Sequence, residues 1–201
     1  HHPHNAIKAV NSATGQGNYS PIWNHEPSAI TSWTPYQNGV GAILPMSNGD
    51  NTLAADVSGG PGGVSLLCLS CHDGSVAVDA YSNTSGKDNR GADGPGGEDM
   101  TLTAGMRTII GDGGDLSNHH PIGFNYQDVA DNDAEIAEPT VRYINQATGY
   151  TGPTIGELLY DGKFECVTCH DVHNGGAVGT NPALLVEDPA GSLMCLRCHA
   201  K

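Results

Sequence analysis

Positive charge is scarce in this chain. Eight Lys and Arg face 22 Asp and Glu, for a formal net charge of −14. Phosphate binding needs clustered bases, so neither nucleic acid nor an anionic membrane surface is an expected partner. The acidity reads first as solubility, with attraction of cationic partners or metal ions as the functional alternative. Apolar mass is also short: 37% of residues are hydrophobic and 5% aromatic. No run approaches the roughly 18 apolar residues of a membrane span. Leu66-Leu67 and Leu184-Leu185-Val186 are far too brief. The chain opens at His1 without a basic-then-apolar leader, and is read as a mature chain whose signal peptide has been removed.

Helix and strand breakers are abundant instead. With 28 glycines and 12 prolines, one residue in five interrupts regular structure, against a typical share of about 12%. Such a chain builds a thin core and many loops, so its interior needs apolar mass from another source. No sustained helical or alternating periodicity is present.

Cysteine is confined to three clusters: Cys68-Leu69-Ser70-Cys71-His72, Cys166-Val167-Thr168-Cys169-His170 and Cys195-Leu196-Arg197-Cys198-His199. All three read Cys-x-x-Cys-His, the c-type haem attachment signature. Two thiols one helical turn apart can each form a thioether to a haem vinyl group. The next residue then lies under the iron as the proximal imidazole. Composition alone would produce the pattern about 0.009 times per chain. Three occurrences use every cysteine and leave none for a disulfide. Structural zinc needs ligands in sets of four, and a thioredoxin-like dithiol would occur once, so neither competes well. Three haems c leave one porphyrin for every 67 residues and would supply the missing apolar mass.

Ten histidines are present, of which His72, His170 and His199 are proximal. The surplus of seven suggests a second imidazole on each iron, giving six-coordinate electron-transfer haems. His170 and His173 are three residues apart, read as one side of a helical turn. They cannot bracket one flat macrocycle, so His173 should reach a different haem. Adjacent His119 and His120 likewise should not share an iron; His120, stiffened by Pro121, is preferred. Met46, Met100, Met106 and Met194 are read as packing residues rather than ligands. Asp73 and Asp171 follow proximal histidines, and each is either an imidazole-orienting carboxylate or a solvated one.

Along the chain, residues 1–65 are polar, with turn signals at Asn48-Gly49 and Gly59-Gly60-Pro61-Gly62-Gly63. A short helix is expected within 64–81 and a long loop over 82–118. Asp112-Gly113-Gly114-Asp115 and Asp131-Asn132-Asp133 lack an EF-hand ligand set and read as solvated turns rather than calcium sites. Ser192 is the expected N-cap of a last short helix. Asn18-Tyr19-Ser20 and Asn83-Thr84-Ser85 are sequons, meaningful only in a source that glycosylates surface proteins. The expected fold is one domain over 1–201, mostly irregular and loop-rich, with a few short α-helices around stacked haems. Residues 1–65 would supply distal histidines, and 66–201 would carry the haem attachment.

Pro21-Ile22-Trp23-Asn24-His25, Gly63-Val64 leading into Cys68 to Gly74, Asp115 to Ile122, Cys166 to His173 and Gly191 to His199 occur in that order. This set resembles the doubled-CXXCH, cytochrome c3-like multihaem proteins of metal-respiring prokaryotes. Members of that group, tetrahaem outer-surface cytochromes among them, polymerise into extracellular filaments (cytochrome nanowires). The resemblance covers nearly the whole chain and implies that His25, His120 and His173 are distal ligands. Relatives carry a further haem site ending in His-x-Pro-His-Asn-Ala. Here His1-His2-Pro3-His4-Asn5-Ala6 matches that end without its two cysteines, so the chain reads as a trihaem version with His4 a spare family-type ligand. The expectation is an electron carrier rather than an enzyme, secreted to the cell surface or beyond, with the periplasm as alternative. Its partners would be redox cytochromes and head-to-tail copies of itself, joined through His4. An enzyme reducing an oxyanion would need an open iron and cationic residues over it, which eight bases hardly supply.

Overall fold

The computed structural model describes residues 25, 27–36, 55–78, 102, 106, 108–144, 151–173, 184–187 and 189–200. His1, His2, His4, Met46, Met100, the Asn48-Gly49 turn and both sequons lie outside them. The chain divides into two compact units, one of residues 1–35 and 62–120, the other of 36–61 and 121–201. Both are loop-rich, with short helices and two-stranded ladders.

In the first unit, helix α1 (Gly63–His72) holds the whole first motif. It starts after the Gly59-to-Gly63 turn, where Gly60 takes a positive φ. It ends earlier than 64–81 allows. Asp73 accepts a bond from the Ser75 backbone N–H (2.8 Å), and Gly74 sits at φ +72, a left-handed residue that terminates a helix cheaply. Beside α1, Thr34 bonds Gly114 and Leu116 through its backbone (both 2.8 Å). Asp112–Gly114 form a 3-10 turn. Gly111 is left-handed, at φ +74, and a Cβ there would also lie 2.8 Å from the Trp33 ring.

In the second unit, β1 (Phe124–Asn125) pairs antiparallel with β4 (Lys163–Phe164), Phe124 opposite Phe164. Their rings stack at 5.5 Å. These two, with Ala55, Val57, Tyr126, Val129, Ala130 and Ile155, form the core cluster. Helix α2 (Tyr126–Asn132) is capped by the Asn125 side chain. A bulged ladder joins β2 (Arg142–Ile144) to β3 (Thr151–Thr154). Thr154 then opens α3 (Ile155–Leu158) with a capping box to Glu157. Helix α4 (Cys166–Cys169) spans both cysteines of the second motif, and helix α5 (Leu193–Leu196) holds the start of the third. Ser192 stands where expected, at the N-cap of α5. It is left-handed (φ 61) and its side chain makes no capping bond, because the 3-10 turn Ala190–Ser192 feeds straight into the helix.

Candidate haem attachment sites

At the first motif, α1 sets Cys68 and Cys71 three residues apart on one helix. Leu69 and Ser70 between them are buried, and Ser70 Oγ donates to the Leu67 carbonyl at 2.6 Å. His72 is exposed, yet its ring is fixed: Nδ1 donates to the Thr108 carbonyl at 2.8 Å. Its backbone carbonyl accepts from Ile110 at 2.8 Å, so the 108–110 segment runs alongside. A protonated Nδ1 leaves Nε2 with the lone pair, the tautomer a metal-bound histidine needs. Asp73 corrects the sequence reading. It is 1% exposed and accepts from the Ser28 hydroxyl and the Ser75 N–H. The carboxylate is therefore not solvated, and the group orienting His72 is a backbone carbonyl.

Besides His72, three described histidines belong to this unit. His25 is 2% exposed, with Nε2 3.4 Å from Cys71 Sγ. His119 accepts the Gly111 N–H on Nε2 at 3.3 Å. That contact occupies the nitrogen iron would need, whereas neighbouring His120 is exposed. Met106, expected to pack, is 47% exposed, because its stretch lies at the edge of the loop that pairs with His72.

In the second unit, α4 is held by buried Glu165 and Thr168. The Glu165 N–H donates to Thr168 Oγ1 at 3.0 Å, and the Glu165 side chain accepts in return. The helix stops at Cys169. His170 is extended (φ −118, ψ 125) and pairs antiparallel with Leu185, through bonds between Asp171 and Leu184 (2.8 Å) and between Val186 and Cys169 (2.9 Å). His170 and His173 therefore do not share a helical turn. A strand-like bridge places His170, and a turn in which Asp171 Oδ1 accepts the His173 N–H (2.9 Å) places exposed His173.

Around the third motif, His199 pairs with Ile136, and Ala137 bonds the Cys198 carbonyl at 2.8 Å. Arg197, inside the motif, makes a buried 3.1 Å ion pair with Glu187. Cys169 and Cys198 both pack on the Phe124–Phe164 core. Burial pushes the Cys169 thiol up to about 11, and the Cys198 and Cys195 thiols add to the rise. Burial raises Cys198 as well. The second and third motifs thus bring their sulfurs within electrostatic reach of each other, and burial favours the uncharged state that a thioether keeps. Val172, Leu184 and Leu193 near these motifs, and Leu196 within the third, are exposed and would offer apolar contact to a macrocycle.

No disulfide joins any of the six cysteines, and the donor set at each motif fits haem c. The aspartate clusters serve local structure. Asp115 accepts from Ser117, Asp131 from Gln127 and Asp133 from Glu135. Among the described residues, no three His, Cys, Asp or Glu side chains converge as a metal-binding group. No described helix is long and apolar enough to cross a membrane. Two devices escaped the sequence reading. The Glu165–Thr168 box had a signal, a polar pair three residues apart astride the first cysteine. The Asp73–Ser28 contact had none, since its partners are 45 residues apart.

Residues 160–201 match the family described as the doubled CXXCH motif, a span that takes in the second and third motifs. CXXCH motifs indicate covalently bound haem c, and the match supports a c-type multihaem cytochrome in electron transfer. No curated protein matches the sequence.

Proposed function

We propose that this chain is an electron-transfer protein carrying three haems c, anchored at Cys68 and Cys71, Cys166 and Cys169, and Cys195 and Cys198. His72, His170 and His199 would be proximal ligands, with second imidazoles drawn from His25, His120, His173 and His4. The observation that supports the reading is the His72 ring, whose Nδ1 donates to Thr108 and so leaves the lone pair on Nε2, one residue after two cysteines of the same helix. When bound, haem supplies reversible one-electron chemistry at iron. The chain's own residues anchor the ring, fix the imidazole tautomer and cover the apolar edges. The net charge of −14 favours cationic partners at contact.

We further propose that the protein is secreted and forms the repeating unit of an extracellular filament. A head-to-tail contact that does not close propagates indefinitely, and His4 would complete the ligation of an iron in the next copy. Intact mass and a pyridine-haemochrome assay test the cofactor: three haems per chain are expected, and a bare polypeptide or zinc in place of iron refutes it. A ferric spectrum that is wholly low-spin supports imidazole on both faces. Cryo-EM tests the polymer. Filaments of His4→Ala with unchanged joints would remove the role of His4, and a monomer on size exclusion would favour a soluble periplasmic shuttle.

A further inference from the structure

In the second unit, four residues that belong to neither motif tie the second and third motifs together. Segment 184–187 pairs on one side with the end of the second motif, where Leu185 bridges His170. The Asp171 N–H donates to the Leu184 carbonyl at 2.8 Å, and the Val186 N–H donates to the Cys169 carbonyl at 2.9 Å. The next residue, Glu187, turns the other way and meets Arg197 at 3.1 Å. Arg197 stands between Cys195 and Cys198, inside the third motif. One short strap thus grips both attachment sites.

The strap is costly to build. The Glu187 and Arg197 side chains are 10% and 5% exposed, so both charges have left water. Desolvation offsets most of what their attraction contributes, and such a pair is a poor source of stability. What it supplies is a single register, because any other would leave a buried charge uncompensated. Leu184 sits at φ +57, a left-handed conformation that leucine keeps only where the surroundings impose it. Burial and the neighbouring thiols raise the Cys169 pKa, and Arg197 opposes them, so the guanidinium is within electrostatic reach of both motifs. Cys169 and Cys198 also rest on the Phe124–Phe164 core, but apolar contact is non-directional. The strap adds direction.

We infer that Glu187 is a positioning residue for electron transfer between the second and third haems. Through Arg197 it locks the third motif to the strap that already holds the second, so the two macrocycles keep one separation and one mutual tilt. Electron tunnelling falls steeply with separation, and a reacting pair works only as well as the shell that fixes it. The inference rests on the haem reading above and names what holds two of the haems in register.

The test uses the full chain matured with haem. Intact mass and a haemochrome count come first; a chain without haem refutes the functional reading and is distinguishable from every result below. In a Cys68→Ala, Cys71→Ala background only the second and third haems remain, so a Soret circular-dichroism couplet there reports their mutual orientation. Glu187→Ala in that background is expected to keep both haems and lose most of the couplet. Hydrogen exchange at the Val186 and Asp171 amides should quicken about tenfold as the strap detaches. An ion pair that only stabilised the fold would lower the thermal midpoint and leave the couplet intact below it. That result overturns the inference, as does a parent chain with no couplet. A couplet that shrinks while both amides keep their protection also overturns it, because the strap would then not be the link. Where the Ala variant does not accumulate, Glu187→Gln takes its place, since it keeps an oxygen for the guanidinium and nearly the same volume. A smaller couplet and faster exchange are again expected, and an unchanged couplet overturns the inference.

Discussion

Among the described glycines of the second unit, Gly123 carries the tightest steric constraint. Its φ is +85, and a Cβ there would lie 2.2 Å from the Gly60 carbonyl oxygen and 2.8 Å from its carbon. Both obstacles are backbone, so no side chain can swing aside. The same residue donates its N–H to Phe164 at 2.8 Å, which sets the register that stacks Phe124 on Phe164. Gly162 is the natural control: it is also left-handed, at φ +74, with open space where its Cβ would be. Gly162→Ala should cost only the conformational term, about 1–2 kcal/mol. Gly123→Ala should cost clearly more, because overlap with fixed backbone is added to the same strain. Urea unfolding of the two purified variants checks the order, and equal costs would contradict the close approach.

Among the elements, the turn after α1 rests on one buried carboxylate. Removing Asp73 strips the Ser28 hydroxyl and the Ser75 N–H of their acceptor, so Asp73→Ala should cost about 1–3 kcal/mol. Asp73→Asn, which keeps an acceptor oxygen, should recover part of that loss in urea unfolding. Equal losses in the two variants would show that the charge, not the acceptor, is what the turn uses. The Thr154–Glu157 box at the start of α3 makes a pH-dependent prediction. The Thr154 backbone N–H (2.7 Å), then its hydroxyl (3.0 Å), hold the exposed Glu157 carboxyl below its ordinary 4.5. A depressed folded-state pKa contributes stability that is present above the unfolded value and lost as pH falls through the folded one. The gap in thermal midpoint between wild type and Glu157→Gln should therefore be largest near neutrality and close below about pH 4.5. A gap that widens in acid would show that the carboxylate is not what the cap uses. These elements also mark how far the sequence could be read. The Cys-x-x-Cys-His motifs were legible because covalent haem chemistry fixes them in five contiguous residues. Short helices at the motifs followed from the same spacing. Where α4 stops was not legible, since His170 leaves the helix to pair with Leu185, a partner fifteen residues away whose demand on the backbone has no local signature. The Phe124–Phe164 stack and the Asp73–Ser28 contact were hidden for the same reason: each joins residues at least 40 apart.

For the whole molecule the question is what holds so little apolar mass in one fold. Among the described residues the largest fully buried side chains are Leu69, Ile155, Glu165, Val57, Asp73, Ser65 and Ser70. Four of these seven are polar, so much of the interior is held by local hydrogen-bond networks. Their net worth is about 0.5–1.5 kcal/mol per bond, against about 1–2 kcal/mol to order each residue's backbone. Apolar burial must supply the difference, at about 25 cal/mol per Å² removed from water. Yet Val172, Leu184, Leu193 and Leu196 remain exposed beside the second and third motifs. A macrocycle attached at Cys166 and Cys169, or at Cys195 and Cys198, would cover such side chains and bring its own apolar surface, and on the proposed reading haem would serve as core. A chain with all six cysteines changed to alanine is therefore expected to lose its cooperative thermal transition and near-ultraviolet dichroism and to bind a hydrophobic dye, while the haem-loaded chain melts as a unit. Calorimetry of the two forms checks it. A cooperative melt of the cysteine-free chain close to the loaded midpoint would mean that the polypeptide carries its own core, and that the porphyrins are cargo on a fold that does not need them.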